Sequence, residues 1–233
     1  MAETIEVLEE KKIKVKEREP LFSKKNKKLI SDPLDENNPI TIQVLGICSA
    51  LAVTVQMKAA VVMSVAVLFV LILANVSISL IRNLIPNRIR IIVQLVVVAA
   101  LVIVVDQVLK AYLFDVSKEL SVFVGLIITN CIIMGRLEAF ALGNKPWPSA
   151  LDAIGNSLGY GMVLVIVSFF KELFGSGKLF GFEIFGNATE QTGLYAMGYM
   201  DNGLMLLPPS SLIIVAVYIW VQKIRNPSLI ESH

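Results

Sequence analysis

Long stretches of this chain carry no charged side chain, and that feature limits its fold more than any other. The stretches Ala59–Ile81 and Ile91–Val105 are uncharged and mostly apolar. A helix rises about 1.5 Å per residue, so about 20 apolar residues cross the ~30 Å hydrocarbon core of a bilayer. The two stretches therefore predict transmembrane helices.

The charged residues are concentrated at the amino end. Residues 1–39 hold nine of the 21 Lys and Arg and nine of the 19 Asp and Glu, and charged residues make up 17% of the whole chain. A soluble enzyme is excluded, since soluble domains carry about a quarter charged residues. A net charge of +2 excludes a nucleic-acid binder, and two cysteines exclude a disulfide-stapled secreted fold. The composition predicts a polytopic membrane protein.

We predict an all-α protein with six transmembrane helices. The predicted segments are residues 40–56, 59–81, 91–113, 120–142, 150–170 and 208–224. The first is short, and the fourth is interrupted by Arg136 and Glu138. Three spans on each side of the middle predict two inverted three-helix repeats, residues 39–116 and 117–226. Each repeat opens with a short or broken helix that carries a cysteine.

The ends of the chain are both predicted to lie in the cytoplasm. The expected inner segments carry more Lys and Arg than the outer ones, which is the bias of cytoplasmic loops. Residues 1–38 are interpreted as a flexible charged tail, or as a patch that binds anionic headgroups or a partner. Residues 227–233 form the carboxyl end, and the glycine-rich segment 171–207 is predicted as a long outer loop.

The two cysteines, Cys48 and Cys131, lie near the middle of the segments that open the two halves, and so near the bilayer midplane. They can be small apolar fillers, a disulfide or metal ligands. Two thiolates are half of the four that a [2Fe–2S] cluster takes. Metal ligation therefore requires a second chain, or a second copy of this one, to supply the rest.

Three acidic residues lie inside the predicted spans. Asp106 lies four residues before Lys110, Asp152 lies at the start of the fifth segment, and Glu138 is close to Arg136. These acids can form ion pairs or offset the charge at a helix start. Intramembrane acids also mark ion paths, so Asp106, Asp152 and Glu138 are our candidates for a sodium path.

Small residues recur in the fifth segment. Gly155 and Gly159 are spaced as a small-xxx-small pair, and Gly161 follows them. Such faces permit close helix contact in lipid. The alternative is that glycine is merely tolerated there.

Several stretches together resemble the D-type subunits of the sodium-pumping NADH:quinone oxidoreductases. The resemblance covers about residues 32–225 and is carried by Asn38–Thr54, Leu80–Asn83, Arg90–Gln94, Val105–Gln107, Leu120–Cys131, Met134–Phe140, Gly155–Gly161, Phe174–Gly181 and Asn202–Leu207. The related E-type subunits of the Rnf ferredoxin:NAD oxidoreductases are similar mainly around the two cysteines.

This resemblance implies a function. The chain would be one membrane component of a six-subunit translocase of the bacterial inner membrane, beside the A-, B-, C-, E- and F-type subunits. Cys48 and Cys131 would hold half of a [2Fe–2S] cluster shared with the homologous E-type subunit of opposite topology. Electrons pass from NADH to quinone, and sodium is exported. The chain has no dinucleotide fingerprint, so it is expected to bind neither NADH nor flavin itself and to hold no complete active site.

Two other functions stay open. The chain can belong to an Rnf-type complex that uses ferredoxin and NAD. It can also be an inverted-repeat ion carrier, or an assembly subunit, in which the cysteines have no redox role.

Overall fold

The computed structural model of the chain describes residues 24–34, 37–86, 88–112, 125–176, 178–179, 182–183 and 203–226. Helices form nearly all of the regular structure in these ranges. They are α1 (Lys24–Ser31), α2 (Ile47–Val53), α3 (Met57–Ile81), α4 (Arg90–Tyr112), α5 (Cys131–Arg136), α6 (Pro146–Ser176), α7 (Gly203–Leu206) and α8 (Pro208–Arg225). The strands β1 (Lys178–Leu179) and β2 (Phe182–Glu183) form a short antiparallel pair.

Helices α3 and α6 pack along each other at the centre of the fold. Because most of α3 is apolar, apolarity alone does not select its buried face. The buried face carries small and polar residues such as Ala74 and Asn75, whereas Phe69 and Leu73 are exposed. Small side chains let helices approach closely where lipid offers no hydrophobic drive for association. The side-chain amide of Asn75 donates to the backbone carbonyl of Ser149 on α6, at 3.0 Å.

Three of the described helices, α3, α4 and α6, are long and apolar enough to cross a membrane. Their positions confirm the second, third and fifth predicted spans. In α4 only 17% of the apolar stretch is buried, against 61% in α6, so α4 lies at the edge of the fold. Val98 and Val102 face inward, while Ile92, Val96 and Ile103 are exposed. The full six-helix inverted repeat stays a prediction.

The first predicted span, residues 40–56, is not a continuous helix. The side-chain oxygen of Asn38 accepts the backbone N–H of Ile40 at 3.0 Å, which closes a turn. Val44 and Gly46 then have φ angles of 58° and 82°, in the left-handed region that a right-handed helix excludes. Helix therefore forms only after Gly46, over the seven residues of α2.

The fourth predicted span, residues 120–142, is also broken within its described part. Residues 125–128 are helical, and the chain then leaves the helix at Asn130. The side-chain oxygen of Asn130 accepts the backbone N–H of Ile132 at 3.3 Å, so Asn130 caps the start of α5. One turn of π-helix, Leu137–Ala141, follows α5 directly.

The fifth span is longer than the predicted residues 150–170. It begins at Pro146, whose fixed φ suits a first helical residue. It continues past Lys171 because that side chain is fully buried with its amine 2.8 Å from the hydroxyl of Ser211 on α8. A charged residue therefore does not end this helix. The sixth predicted span, residues 208–224, coincides closely with α8.

The predicted outer loop 171–207 is shorter than expected at both ends. Its first residues, through Ser176, belong to α6. The carboxylate of Glu172 accepts the backbone N–H of Met57, the first residue of α3, and thereby ties the two helices together. At the other end Gly203–Leu206 forms α7. The rest of the loop, apart from β1 and β2, lies outside the described residues.

The tail predicted as flexible, residues 1–38, is folded where the structure describes it. Helix α1 and the 3₁₀ turn Asp32–Leu34 pack against α6. The side-chain amide of Asn38 is buried and donates to the backbone carbonyl of Gly159 at 3.2 Å. Residues 1–23 lie outside the described ranges, so the expectation for them is untested.

Candidate functional site

Each cysteine lies in the first turn of a short helix. Cys48 is the second residue of α2, and Cys131 is the first residue of α5. Both thiols are free, and both side chains are exposed. The backbone N–H groups of a first helical turn have no partner within the helix, and at α5 the side-chain oxygen of Asn130 accepts one of them, that of Ile132.

A buried polar cluster joins the two cysteine-bearing turns. The hydroxyl of Tyr160 on α6 lies 2.6 Å from the hydroxyl of Ser49 and 3.4 Å from the side-chain nitrogen of Asn130. Ser49 follows Cys48, and Asn130 precedes Cys131. All three side chains are at most 4% exposed. We call Gly46, Ser49, Asn130 and Tyr160 the Tyr160 cluster. It brings together two turns that are far apart in the sequence.

The donor set fits half of an iron–sulfur site. In the part of the chain that the structure describes, no group of three or more His, Cys, Asp or Glu side chains is placed to hold a metal ion. Cys48 and Cys131 supply two thiolates where a [2Fe–2S] cluster needs four ligands. Because both side chains are exposed, ligands from another chain can reach the same place.

Asp152 is buried in an ion pair with Arg136. The guanidinium Nε donates to the carboxylate at 2.9 Å, and a second nitrogen donates to the other oxygen. Asp152 also accepts from the side-chain amide of Asn156 at 3.1 Å. It lies in the second turn of α6 and not at its start, because that helix begins at Pro146. The interpretation of Asp152 as a charge at the helix start is therefore wrong.

A cavity of about 200 Å³ adjoins this ion pair. Among the described residues, the buried side-chain oxygen of Asn156 has no hydrogen-bond partner. The polar residues that line the cavity are Asp32, Asn37, Gln43, Arg136, Asp152 and Asn156. Five of these six residues carry a side-chain oxygen, and the sixth, Arg136, carries the guanidinium that pairs with Asp152.

Glu138 and Arg136 are not paired with each other. Glu138 forms a salt bridge with Arg90 at the start of α4, and it accepts from the side-chain amide of Gln94 at 3.1 Å. The suggested pair between Arg136 and Glu138 is therefore wrong, since each residue finds its partner on another helix. Glu138 is partly exposed, unlike Asp152.

Asp106 pairs with Lys110 along α4, as the i,i+4 spacing predicts. The lysine side chain is 48% exposed and the aspartate 18%. All three acids chosen as candidates for the sodium path are thus paired with a basic residue.

The glycines of α6 contact two different elements. A Cβ atom on Gly155 would lie 2.5 Å from the backbone oxygen of Leu29, and one on Gly159 would lie 2.3 Å from that of Pro33. Gly161 instead faces Ser64 on α3, at 3.1 Å. The predicted close packing at these glycines is present, and at two of the three the neighbour is the amino-terminal segment.

The sequence did not identify Tyr160, Ser49 or Asn130 as site residues. The one available signal is their position, because Ser49 and Asn130 adjoin the cysteines. Tyr160 lies 111 residues from Ser49, and nothing in the sequence links the two. The buried amine of Lys171, bonded to Ser211, was also assigned no structural role.

Comparison with known proteins places the chain in a family. A family model described as "Rnf-Nqr subunit, membrane protein" matches residues 26–219. The D-type subunit of the Na(+)-translocating NADH-quinone reductase of Photobacterium profundum is 54% identical over 210 residues. That match covers 90% of this chain and 98% of the relative.

Proposed function

We propose that this chain, which belongs to the Rnf-Nqr family of membrane protein subunits, is the D-type subunit of a sodium-translocating NADH-quinone reductase. In that complex Cys48 and Cys131 hold half of a [2Fe–2S] cluster. A homologous E-type subunit of opposite topology holds the other half. The observation that carries the proposal is a pair of exposed, free thiols at the starts of two helices whose first turns are joined by the Tyr160 cluster.

In the proposed complex, the residues of this chain bind the cluster and hold its ligands in place. The two thiolates bind iron, and the Tyr160 cluster keeps the turns that carry them adjacent. When bound, a [2Fe–2S] cluster supplies one-electron transfer. At the bilayer midplane it would lie ~15 Å from either surface of a ~30 Å core, which divides a long electron transfer into shorter steps.

The remaining parts of the reaction belong to other subunits. We place NADH, flavin and quinone on the A-, B-, C- and F-type subunits of a six-subunit complex in the bacterial inner membrane. The chain would contribute six spans in two inverted three-helix repeats, with both termini in the cytoplasm. The support for this assembly is the name of the 54% identical relative, whose length the match covers almost completely.

For sodium, we propose a route past Asp152. Of the three candidate acids, Asp152 is the one that lines a polar cavity, and Asn156 lines it as well. Hard cations prefer oxygen ligands, so this group of oxygens is chemically suited to sodium. Asp106 and Glu138 remain weaker candidates. Asp106 lies in an exposed pair along one helix, and Glu138 is partly exposed.

The Asp152 proposal is tested by the sodium dependence of quinone reduction. Asp152→Asn should raise the sodium concentration for half-maximal turnover, while Ser168→Ala, whose hydroxyl bonds to Val165 away from the cavity, should leave it unchanged. An unchanged sodium dependence in an assembled Asp152→Asn complex would remove Asp152 from the route.

A second function is supported by the family model, whose description includes Rnf as well as Nqr subunits. The E-type subunit of an Rnf complex would use the same two cysteines in a ferredoxin:NAD oxidoreductase. The purified complex distinguishes the two, because the first reduces quinone with NADH and the second exchanges electrons between ferredoxin and NAD.

Iron content tests the shared site itself. The full chain expressed alone should carry no iron, whereas the assembled complex should hold two iron atoms that Cys48→Ser or Cys131→Ser each removes. Ser168→Ala is a suitable control because its buried hydroxyl bonds within α6, to the backbone oxygen of Val165 at 3.0 Å. Full iron occupancy in the assembled serine variants would show that the cysteines are packing residues and not iron ligands.

A further inference from the structure

Tyr160 contacts both cysteine-bearing turns from one side chain. It is fully buried on α6, and its hydroxyl lies within hydrogen-bond distance of Ser49 and Asn130. These two residues are the immediate neighbours of Cys48 and Cys131. A single phenol on a long helix therefore contacts both turns, which also meet directly where the amide of Asn130 lies 3.4 Å from the Ser49 hydroxyl.

The direction of each hydrogen bond in the cluster follows from its chemistry. The Ser49 hydroxyl donates to the backbone carbonyl of Gly46 at 2.8 Å, so its oxygen is left to accept. The Tyr160 hydroxyl must then donate to Ser49, and its own oxygen accepts from the amide nitrogen of Asn130. The resulting chain runs from Asn130 through Tyr160 and Ser49 to Gly46. It uses the single proton of each hydroxyl, and the amide nitrogen of Asn130, which carries two protons, also lies 3.4 Å from the Ser49 oxygen.

The ring of Tyr160 also lies directly against the first turn. A Cβ atom on Gly46 would be 3.0 Å from the ring carbon Cε2 and 3.5 Å from the side-chain oxygen of Asn130. With a φ of 82°, Gly46 is where the backbone turns into α2. The ring thus supports the turn by packing as well as by hydrogen bonding.

We propose that Tyr160 is a positioning residue that fixes the spacing of Cys48 and Cys131, and thereby sets how tightly the pair retains its half of the cluster. The part of this inference that concerns retention of the cluster rests on the proposed function. Residues that orient metal ligands through hydrogen bonds typically change metal affinity about 10- to 100-fold when they are replaced.

The first experiment uses the assembled complex. Tyr160→Phe removes one oxygen and leaves the Ser49 oxygen with only the longer, 3.4 Å bond from the amide of Asn130, so iron should be retained about 10- to 100-fold less tightly against a chelator. The electron paramagnetic resonance spectrum of the reduced cluster should change as well. Ser49→Ala should have a similar effect, and the double variant should lose little more, because both act through one chain of bonds.

Ser168→Ala is the matched control for this series. It removes an equally buried hydroxyl, one bonded within α6 and outside the Tyr160 cluster. The control should leave iron retention and the spectrum unchanged. Wild-type iron retention and an unaltered spectrum in the Tyr160→Phe complex would overturn the proposal.

A second experiment separates this inference from the proposed function. In the full chain purified in detergent, bis-maleimides of graded length should bridge Cys48 and Cys131 best at one length. Tyr160→Phe should broaden that preference without changing the reaction of either thiol with a monofunctional maleimide. An identical length profile in the variant would overturn the positioning role. A broadened length profile, in a protein whose assembled complex holds no iron, would support the positioning role of Tyr160 and contradict the iron–sulfur function.

Discussion

At the scale of single residues, burial separates two ion pairs that look alike in the sequence. The side chains of Arg136 and Asp152 are 14% and 3% exposed, whereas those of Lys110 and Asp106 are 48% and 18% exposed. An exposed pair contributes about 0.2–1 kcal/mol. Removing one partner of a buried pair costs about 3–5 kcal/mol, because a charge is left without compensation.

Asp152→Asn should therefore destabilise the protein much more than Asp106→Asn. We expect a loss of about 3 kcal/mol for the first and of less than about 1 kcal/mol for the second. Thermal unfolding of the purified complex, with assembly yield as a second readout, measures both. Equal stability losses in the two variants would contradict the burial that separates the pairs.

Gly46 is the residue whose backbone conformation the site depends on most. Gly46→Ala places a Cβ atom on a residue with a φ of 82°, and that atom would lie 3.0 Å from the ring of Tyr160. We expect a stability loss of about 1–3 kcal/mol, together with a lower iron content. Gly203→Ala is the matched control, since no atom of the described residues outside its own backbone surroundings lies within 4 Å of the added atom. A Gly46→Ala complex as stable as the control would show that the turn tolerates a side chain.

At the scale of elements, the glycine face of α6 determines how the amino-terminal segment packs. Gly159→Ala would place a Cβ atom 2.3 Å from the backbone oxygen of Pro33, and backbone cannot rotate away as a flexible side chain can. The segment should be displaced at a cost of about 1–3 kcal/mol, as in other overpacked sites.

Limited proteolysis within residues 24–34 checks this displacement. The Gly159→Ala variant should be cleaved there faster than the wild-type chain. Gly143→Ala serves as control because its nearest contact is 3.9 Å away. Equal cleavage rates in all three proteins would mean that the segment does not need the close contact.

The sequence predicted the long helices well and the short ones poorly. The segments that became α3 and α4 were found because each is a long apolar run with clear ends. The break before α2 could not be found, since it depends on the φ angles of Val44 and Gly46 within an apolar stretch. Composition does not reveal such a break.

The candidate site was predictable to a similar extent. The cysteines were found by their number and placement, and the pair of Asp106 with Lys110 by its i,i+4 spacing. The partners of Arg136 and Tyr160 depend on which helices pack together. The spacing of residues along the chain does not reveal that packing.

At the scale of the whole molecule, thiol labelling can test the predicted orientation of the chain in the membrane. A cysteine at Gly203, in a chain whose native cysteines are replaced, should react with an impermeant maleimide in intact cells. A cysteine at Leu84, which is 83% exposed in the turn between α3 and α4, should react only after permeabilisation. The reverse pattern would overturn the expected orientation.

The central claim is that the two cysteines of this chain serve electron transfer in a larger complex. Steady-state NADH:quinone reduction, with flavin reduction followed in the same sample, tests it most directly in an assembled Cys131→Ser complex. NADH should still reduce the entry flavin, because that step lies upstream, while quinone reduction should be lost together with the iron. A Cys131→Ser complex that kept its iron and reduced quinone at the wild-type rate would contradict this account.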